Sequence, residues 1–254
     1  MTFDETMREL ESLGTEQNRK IWRRHGAPEP MFGVSFANLG KLQKRIKKDH
    51  ALAEALWASG NVDAQHLAPM VAEPSLMTRK ALDQWAAGLS YYGLPVIFVK
   101  HVASQSPHAH QAMEAWMRSP REMVCRAGWN LLTVLAQKEG ALEDAQLEPY
   151  LARIEKSIHT AQNRVREEMN SALIAIGARG GAVGDKALAL AQRIGKVEVD
   201  HGETGCKTPD ATEYILKMRA RASGKAGKGA ASAKVAKKPT ARSKTARERA
   251  RPRA

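Results

Sequence analysis

Cysteine is nearly absent: the chain has two in 254 residues, Cys125 and Cys206, and they fall in different segments. Two such residues do not make a disulfide framework of the secreted kind, and a reducing, cytoplasmic setting is the expectation. No apolar run approaches the roughly 20 residues of a membrane-spanning helix, so no membrane partner is expected. The first ten residues carry three acids and one Arg with no apolar stretch behind them, which does not resemble a secretory signal. Aromatic residues are also scarce, at 5% of the chain. Ala, Leu, Met, Glu, Gln, Lys and Arg dominate instead, the residues that lose least in a helix, and they point to an all-α protein.

Acids are missing from one end. Residues 217–254 hold 14 of the 40 Lys and Arg and a single acid, Glu248, so the net charge of +13 resides there and the first 216 residues are balanced. From Ala220 onward the sequence is almost entirely Ala, Gly, Ser, Thr, Lys and Arg, with Val235 its only sizeable aliphatic. Such a segment buries too little apolar surface to offset its ordering entropy, and residues 219–254 are expected to be a disordered basic tail. It suits sequence-blind binding of a polyphosphate, each cation displacing a condensed counterion; a purely solubilising tail is the alternative.

The body, residues 1–218, reads as amphipathic helices between short Pro, Gly or Asn breaks. Leu39, Leu42 and Ile46 share one helical face before Asp49; Leu52, Ala55 and Leu56 form the next, ending at Ser59-Gly60; Val62, Leu67, Met70 and Val71 follow Asn61. Leu147, Leu151, Ile154 and Ile158 mark another, and Val165, Met169, Ala172, Leu173 and Ile176 another. Ser106-Pro107, Ser119-Pro120 and Thr208-Pro209 each look like a helix start, and Glu122 is placed to complete a capping box with Ser119. Val124-Cys-Arg-Ala-Gly-Trp-Asn-Leu-Leu aligns with Val165-Arg-Glu-Glu-Met-Asn-Ser-Ala-Leu one repeat later. That period suits paired-helix HEAT repeats, each burying its face on its neighbours, although ordinary bundles use it too.

Three stretches carry a resemblance: Gly33-Val-Ser-Phe-Ala-Asn-Leu-Gly-Lys-Leu, Leu52-Ala-Glu-Ala-Leu-Trp-Ala-Ser-Gly-Asn-Val-Asp-Ala, and Met123-Val-Cys-Arg-Ala-Gly-Trp-Asn-Leu-Leu. Over about residues 31–180 the chain resembles the DNA alkylation repair family of alkylpurine DNA glycosylases. The resemblance implies a curved solenoid, or superhelix, of HEAT-like repeats whose concave face follows double-stranded DNA. Active members excise N3- and N7-alkylated purines without extruding the base. The lesion already weakens the glycosidic bond, so the protein adds stabilisation of the developing oxocarbenium ion and positions water. This takes a carboxylate near the sugar, aromatic faces against the cation, and an Arg on phosphate.

Carried over residue by residue, the resemblance places Tyr92 at the aromatic position and Arg126 at the Arg position. Gly93 and Val96 stand where acids are expected, and Ser171 where the second ring is expected. No Asp or Glu occurs from Ala86 to Gln111. The implied protein keeps the DNA scaffold and loses standard excision, with a monomer on damaged or branched duplex, cytoplasmic and nucleoid-associated, as the expected setting. Two alternatives stay open: a working glycosylase that uses Tyr92, Arg126 and an acid such as Glu167 or Glu168, and a protein-binding HEAT scaffold.

Lys41, Lys44, Arg45, Lys47 and Lys48 form a dense basic patch suited to phosphate contact, or to a plain solvated face. Arg19, Lys20, Arg23 and Arg24 make a second, with Trp22 interleaved, which could stack on a base or cap the first repeat. Trp57, Trp85, Trp116 and Trp129 sit on apolar faces and are expected in the core. His101, His108 and His110 lack the spacing and partners of a metal site, and neither metal nor cofactor is expected. The loop from Asp200 to Asp210 concentrates His201, Glu203 and Cys206. It is expected to be held by its own side chains, with Thr208 capping the following helix; an ion site or a wedge against DNA is the alternative.

Overall fold

Side-chain caps start the first helices. Oxygens of Thr2, Thr15, Ser35, Asp49, Asn61 and Thr78 accept from backbone amides of α1 (Phe3–Leu13), α2 (Glu16–Arg24), α3 (Phe36–Ile46), α4 (His50–Ala58), α5 (Val62–Val71) and α6 (Arg79–Ala87). Each such cap contributes about 1 kcal/mol and fixes where the chain turns. Further along lie α7 (Gly93–His101), α8 (Ala109–Trp116), α9 (Glu122–Gln137), α10 (Asp144–Ser157), α11 (Asn163–Ala178), α12 (Gly181–Ile194) and α13 (Ala211–Val235). The computed structural model describes the backbone of residues 1–235 and the side chains through residue 223.

All three expected Ser or Thr caps are used differently: Ser106 Oγ accepts from His108 N at 3.2 Å, and His108, not Ser106, is the N-cap of α8. Ser119 Oγ accepts from Arg121 N at 3.2 Å, while Glu122 accepts from Arg164 N at 2.7 Å and so caps α11 in the next repeat. Likewise Thr208 Oγ1 bonds His201 Nε2 at 2.9 Å, and Asp210 takes over the cap by accepting from Glu213 N at 2.9 Å. At Thr208 a nearby His takes the hydroxyl and a nearby acid the amide, whereas at Ser119 the neighbouring Glu122 is drawn to the next repeat.

The described residues form two layers of helices. One layer runs α3, α5, α7, α9, α11, α13, each packed on the next; α4, α6, α8, α10 and α12 lie against its back. All ten residues of α5 are buried, as are most of α9 and α11, because both layers press on them. The expected repeat is the central step of the stack, since Glu122–Gln137 and Asn163–Ala178 are equivalent and adjacent. Gly177 allows α13 to close on α11: a Cβ there would lie 2.7 Å from Ile215 Cγ1. The tryptophans expected in the core are there, with Trp57 and Trp85 stacked at 4.5 Å between centroids and Trp116 and Trp129 almost fully buried.

Two segments outside the helix pairs bear on the site. After α2, the chain is tied to α5 by Asp63, whose buried carboxylate accepts from the amides of Phe32, Gly33 and Val34 at 2.6, 3.0 and 2.7 Å. At the other end the loop after α12 is strapped to α11. Asn163 Nδ2 donates to Asp200 O at 2.7 Å and its Oδ1 accepts from Asp200 N at 2.8 Å, while Asn170 Nδ2 reaches Pro209 O at 3.0 Å.

The boundary expected at residue 218 falls inside α13. Beyond it, Arg219 is tied into the stack by Gly177 O and Asp185, both at 2.7 Å. The disordered-tail expectation, where it concerns residues 236–254, lies outside the described residues.

Candidate nucleic-acid interface

Tyr92 lies where the end of α2, through His25, meets Arg126 of α9 and Arg164 of α11. At the N-cap of α7 it already has helical dihedrals (φ −68°, ψ −14°), so Val96 follows one turn later on the same side, 41% exposed and without charge. Pro95 lies in the first turn, where its missing amide disturbs nothing. Gly93 has a steric reason: a Cβ there would stand 2.6 Å from the Tyr91 ring, which folds back to bond buried His66 through its hydroxyl at 2.5 Å. An acid at position 93 is incompatible with that arrangement.

The Tyr92 hydroxyl bonds His25 Nδ1 from the end of α2. Its ring meets the Arg164 guanidinium, 3.9 Å from the centroid, and that of Arg126 at 5.5 Å. Arg126, expected on a phosphate, is instead only 5% exposed. It donates to Glu167 at 2.6 Å, its equivalent one repeat later, and pairs with Glu168 at 3.4 Å. Arg164 shares the Glu167 carboxylate at 3.2 Å and lies 3.4 Å from His201 Nδ1. Glu168 also accepts from Asn130 at 2.7 Å and Thr133 at 3.3 Å.

Two Arg therefore face two Glu. Burial pushes Glu167 upward, but the charges and hydrogen bonds of Arg126 and Arg164 outweigh it and hold the carboxyl below its usual range. For Glu168 burial wins, and its pKa is raised despite Arg126 and Asn130. Burial likewise raises Tyr92, with Arg164 pulling the other way. Ser171 is half-buried and spends its hydroxyl on Glu167 O at 3.1 Å. Sequence reasoning named Glu167 and Glu168 only as candidate acids, placed His201 in a separate loop, and missed Arg164 and His25. The repeat period would have found the Arg126–Glu167 pair; nothing local marks His25.

The basic clusters divide. Arg23 pairs with Glu29 at 2.8 Å and Glu16 at 3.2 Å, Arg45 pairs with Glu9, and Lys48 donates to Ala72 O at 2.6 Å. Lys41 reaches only Asn38, at 3.2 Å, and among the described residues Arg24, Lys44 and Lys47 make no ion pair. His101 is half-buried, and burial lowers its pKa. Among the described residues no three His, Cys, Asp or Glu side chains gather in a metal-holding group, both cysteines are free, and no helix is long and apolar enough to cross a membrane.

This layered stack of helix pairs is the HEAT-like repeat architecture. A solved structure described as "a new family of proteins related to the HEAT-like repeat DNA glycosylases with affinity for branched DNA structures" matches it with a TM-score of 0.80 and 31% identity, over 87% of this chain and 95% of that one. The family model for DNA alkylation repair enzymes matches residues 6–215, and the chain belongs to that family. Uncharacterized proteins of Listeria monocytogenes and Listeria innocua are each 30% identical to it over 226 residues, covering 87% of this chain and 99% of each relative.

Proposed function

We propose that this protein binds the backbone of branched double-stranded DNA and does not excise alkylated bases. The observation that carries the reading is the self-occupied Tyr92 cluster. The ring that would meet a cationic sugar or base already meets the Arg164 guanidinium at 3.9 Å, and the exposed side chain one turn on is Val96. A developing oxocarbenium ion needs an uncommitted negative charge, and the neighbouring carboxylates are committed to arginines. Branched DNA is favoured because the relative of 31% identity is described as having affinity for it. Lys41, Lys44, Lys47 and Arg24 supply cations for phosphate without base readout.

Glu167 supports a second reading, excision by an unusual acid, because its carboxyl is held ionised beside Tyr92. Binding to linear, forked and four-way duplexes at several salt concentrations, run beside release of alkylpurine from alkylated duplex, separates the two. The proposal expects tighter binding to branched forms and no release above the uncatalysed rate. Release that disappears in Glu167→Gln would establish the second reading.

A further inference from the structure

Phe36 is the first residue of α3 and, at 47% exposed, an unusually open large apolar side chain. It is not a loose one. Its ring centroid lies 5.2 Å from Trp22 and 5.3 Å from His66, and those two are 5.4 Å from each other. Three nearly equal distances place Trp22 and His66 close together as seen from Phe36, so the ring is packed from that direction while nearly half of the residue stays exposed. The rings continue inward from His66 to Tyr91 at 5.8 Å and from Tyr91 to Tyr92 at 6.0 Å. Phe36 is thus the exposed end of a packed aromatic run.

The surroundings of the ring select its occupant. One turn after Phe36 comes Gly40, where a Cβ would meet nothing within 4 Å, so the helix backbone lies open. One turn later comes Lys44, with Lys41 a further step round the exposed side, away from buried Leu39 and Leu42. From Phe36 to Lys48 there are five cations and no acid. Arg45 is paired with Glu9 and Lys48 with Ala72 O, and an apolar protein partner would leave Lys41, Lys44 and Lys47 unanswered. An exposed ring continuous with a cationic strip is instead the arrangement that holds a strand by stacking one base and contacting its neighbouring phosphates. The rise from Phe36 to Lys44, about 12 Å, spans a base and its flanking phosphates.

We propose that Phe36 is a stacking platform for an unpaired base at a DNA branch, with Lys41 and Lys44 on the adjoining phosphates. This rests on the DNA-binding reading above and names the feature of the branch that is recognised: an unstacked nucleotide, which a linear duplex lacks.

The test uses the full chain and a forked duplex with 2-aminopurine at an unpaired position next to the branch, whose fluorescence falls when the base stacks. Wild type and Phe36→Trp should quench it. Phe36→Ala should not, and should bind the fork about tenfold more weakly while its affinity for linear duplex stays the same. Lys44→Gln should weaken both substrates and flatten the salt dependence. Tight fork binding with full quenching by Phe36→Ala would overturn the platform and leave DNA binding intact. Absence of binding to any duplex by wild type would overturn the DNA-binding reading and the platform with it. A Phe36→Ala variant changed in oligomeric state but not in fork binding would assign the ring to a copy of this chain instead.

Discussion

The Tyr92 cluster and the exposed side of α3 are built from the same materials, aromatic rings and cations, and end in opposite states. Around Tyr92 the guanidiniums of Arg126 and Arg164 are paired with Glu167 and Glu168 and lie against the ring. On α3 the Phe36 ring is open, and Lys44 has no carboxylate partner among the described residues. A charge taken into low dielectric requires a counter-charge, and the pair then has little left to offer a ligand. A cation left in water keeps its interaction with phosphate available. Residue type alone does not make a binding site; the state of pairing does.

The strongest way to break this contrast is to remove the buried cation. Arg126→Ala leaves Glu168 enclosed beside Glu167 without its counter-charge and should cost about 3–5 kcal/mol in urea unfolding. DNA affinity measured where the variant is still folded should be unchanged. Equal stability with weakened binding would return Arg126 to the interface.

Acid sharpens the contrast next. Burial depresses His66 from 6.5 to about 4, so in that window the unfolded chain takes up a proton that the folded chain refuses. Stability is full above about pH 6.5 and falls as pH drops toward 4, by at most about 3 kcal/mol. Glu168, raised by burial, acts in the opposite sense, so the comparison is made against His66→Gln, which should lose less stability over the same range. Identical pH profiles would show that His66 is not the titrating group.

Smaller effects belong to the free cations. Taking away a single cation that faces phosphate, as in Lys44→Gln, should reduce the slope of log affinity against log salt by roughly 0.9, with no change in melting temperature. Removing residues 236–254 should act the same way, weakening binding and flattening the salt dependence, while thermal unfolding stays put. A truncated chain with the full salt slope would exclude the basic tail as a DNA-binding element.

Much of the stack was legible because core-facing residues recur with the helix period. Leu39, Leu42 and Ile46, or Val165, Met169 and Leu173, are apolar for one reason only. The helix α2 was not legible, since it buries no residue and so carries no apolar stripe. Caps were misread at Ser106, Ser119 and Thr208: Ser106 falls before the true N-cap His108, Glu122 is drawn to Arg164 N in the next repeat, and Thr208 is taken by His201 within its own loop. The same holds at the site. Family position marked Tyr92 and Arg126, but whether an Arg meets solvent or a carboxylate one repeat away is decided by packing between repeats. Phe36 stood inside a family motif with nothing to single it out, because exposure is not written in a residue's identity.

Release of N7-alkylguanine from an alkylated duplex, measured with enzyme in excess over substrate, tests the central claim most directly. The wild-type chain should bind that duplex and release no base above the uncatalysed rate, because Val96 brings no charge and Glu167 is bound to two arginines. Val96→Asp, which puts a carboxylate on an exposed position beside Tyr92, should be tolerated by the fold and is the variant in which release would first be detected. Rapid release by the wild-type chain, abolished by Glu167→Gln, would contradict the account and make the Tyr92 cluster a working active site.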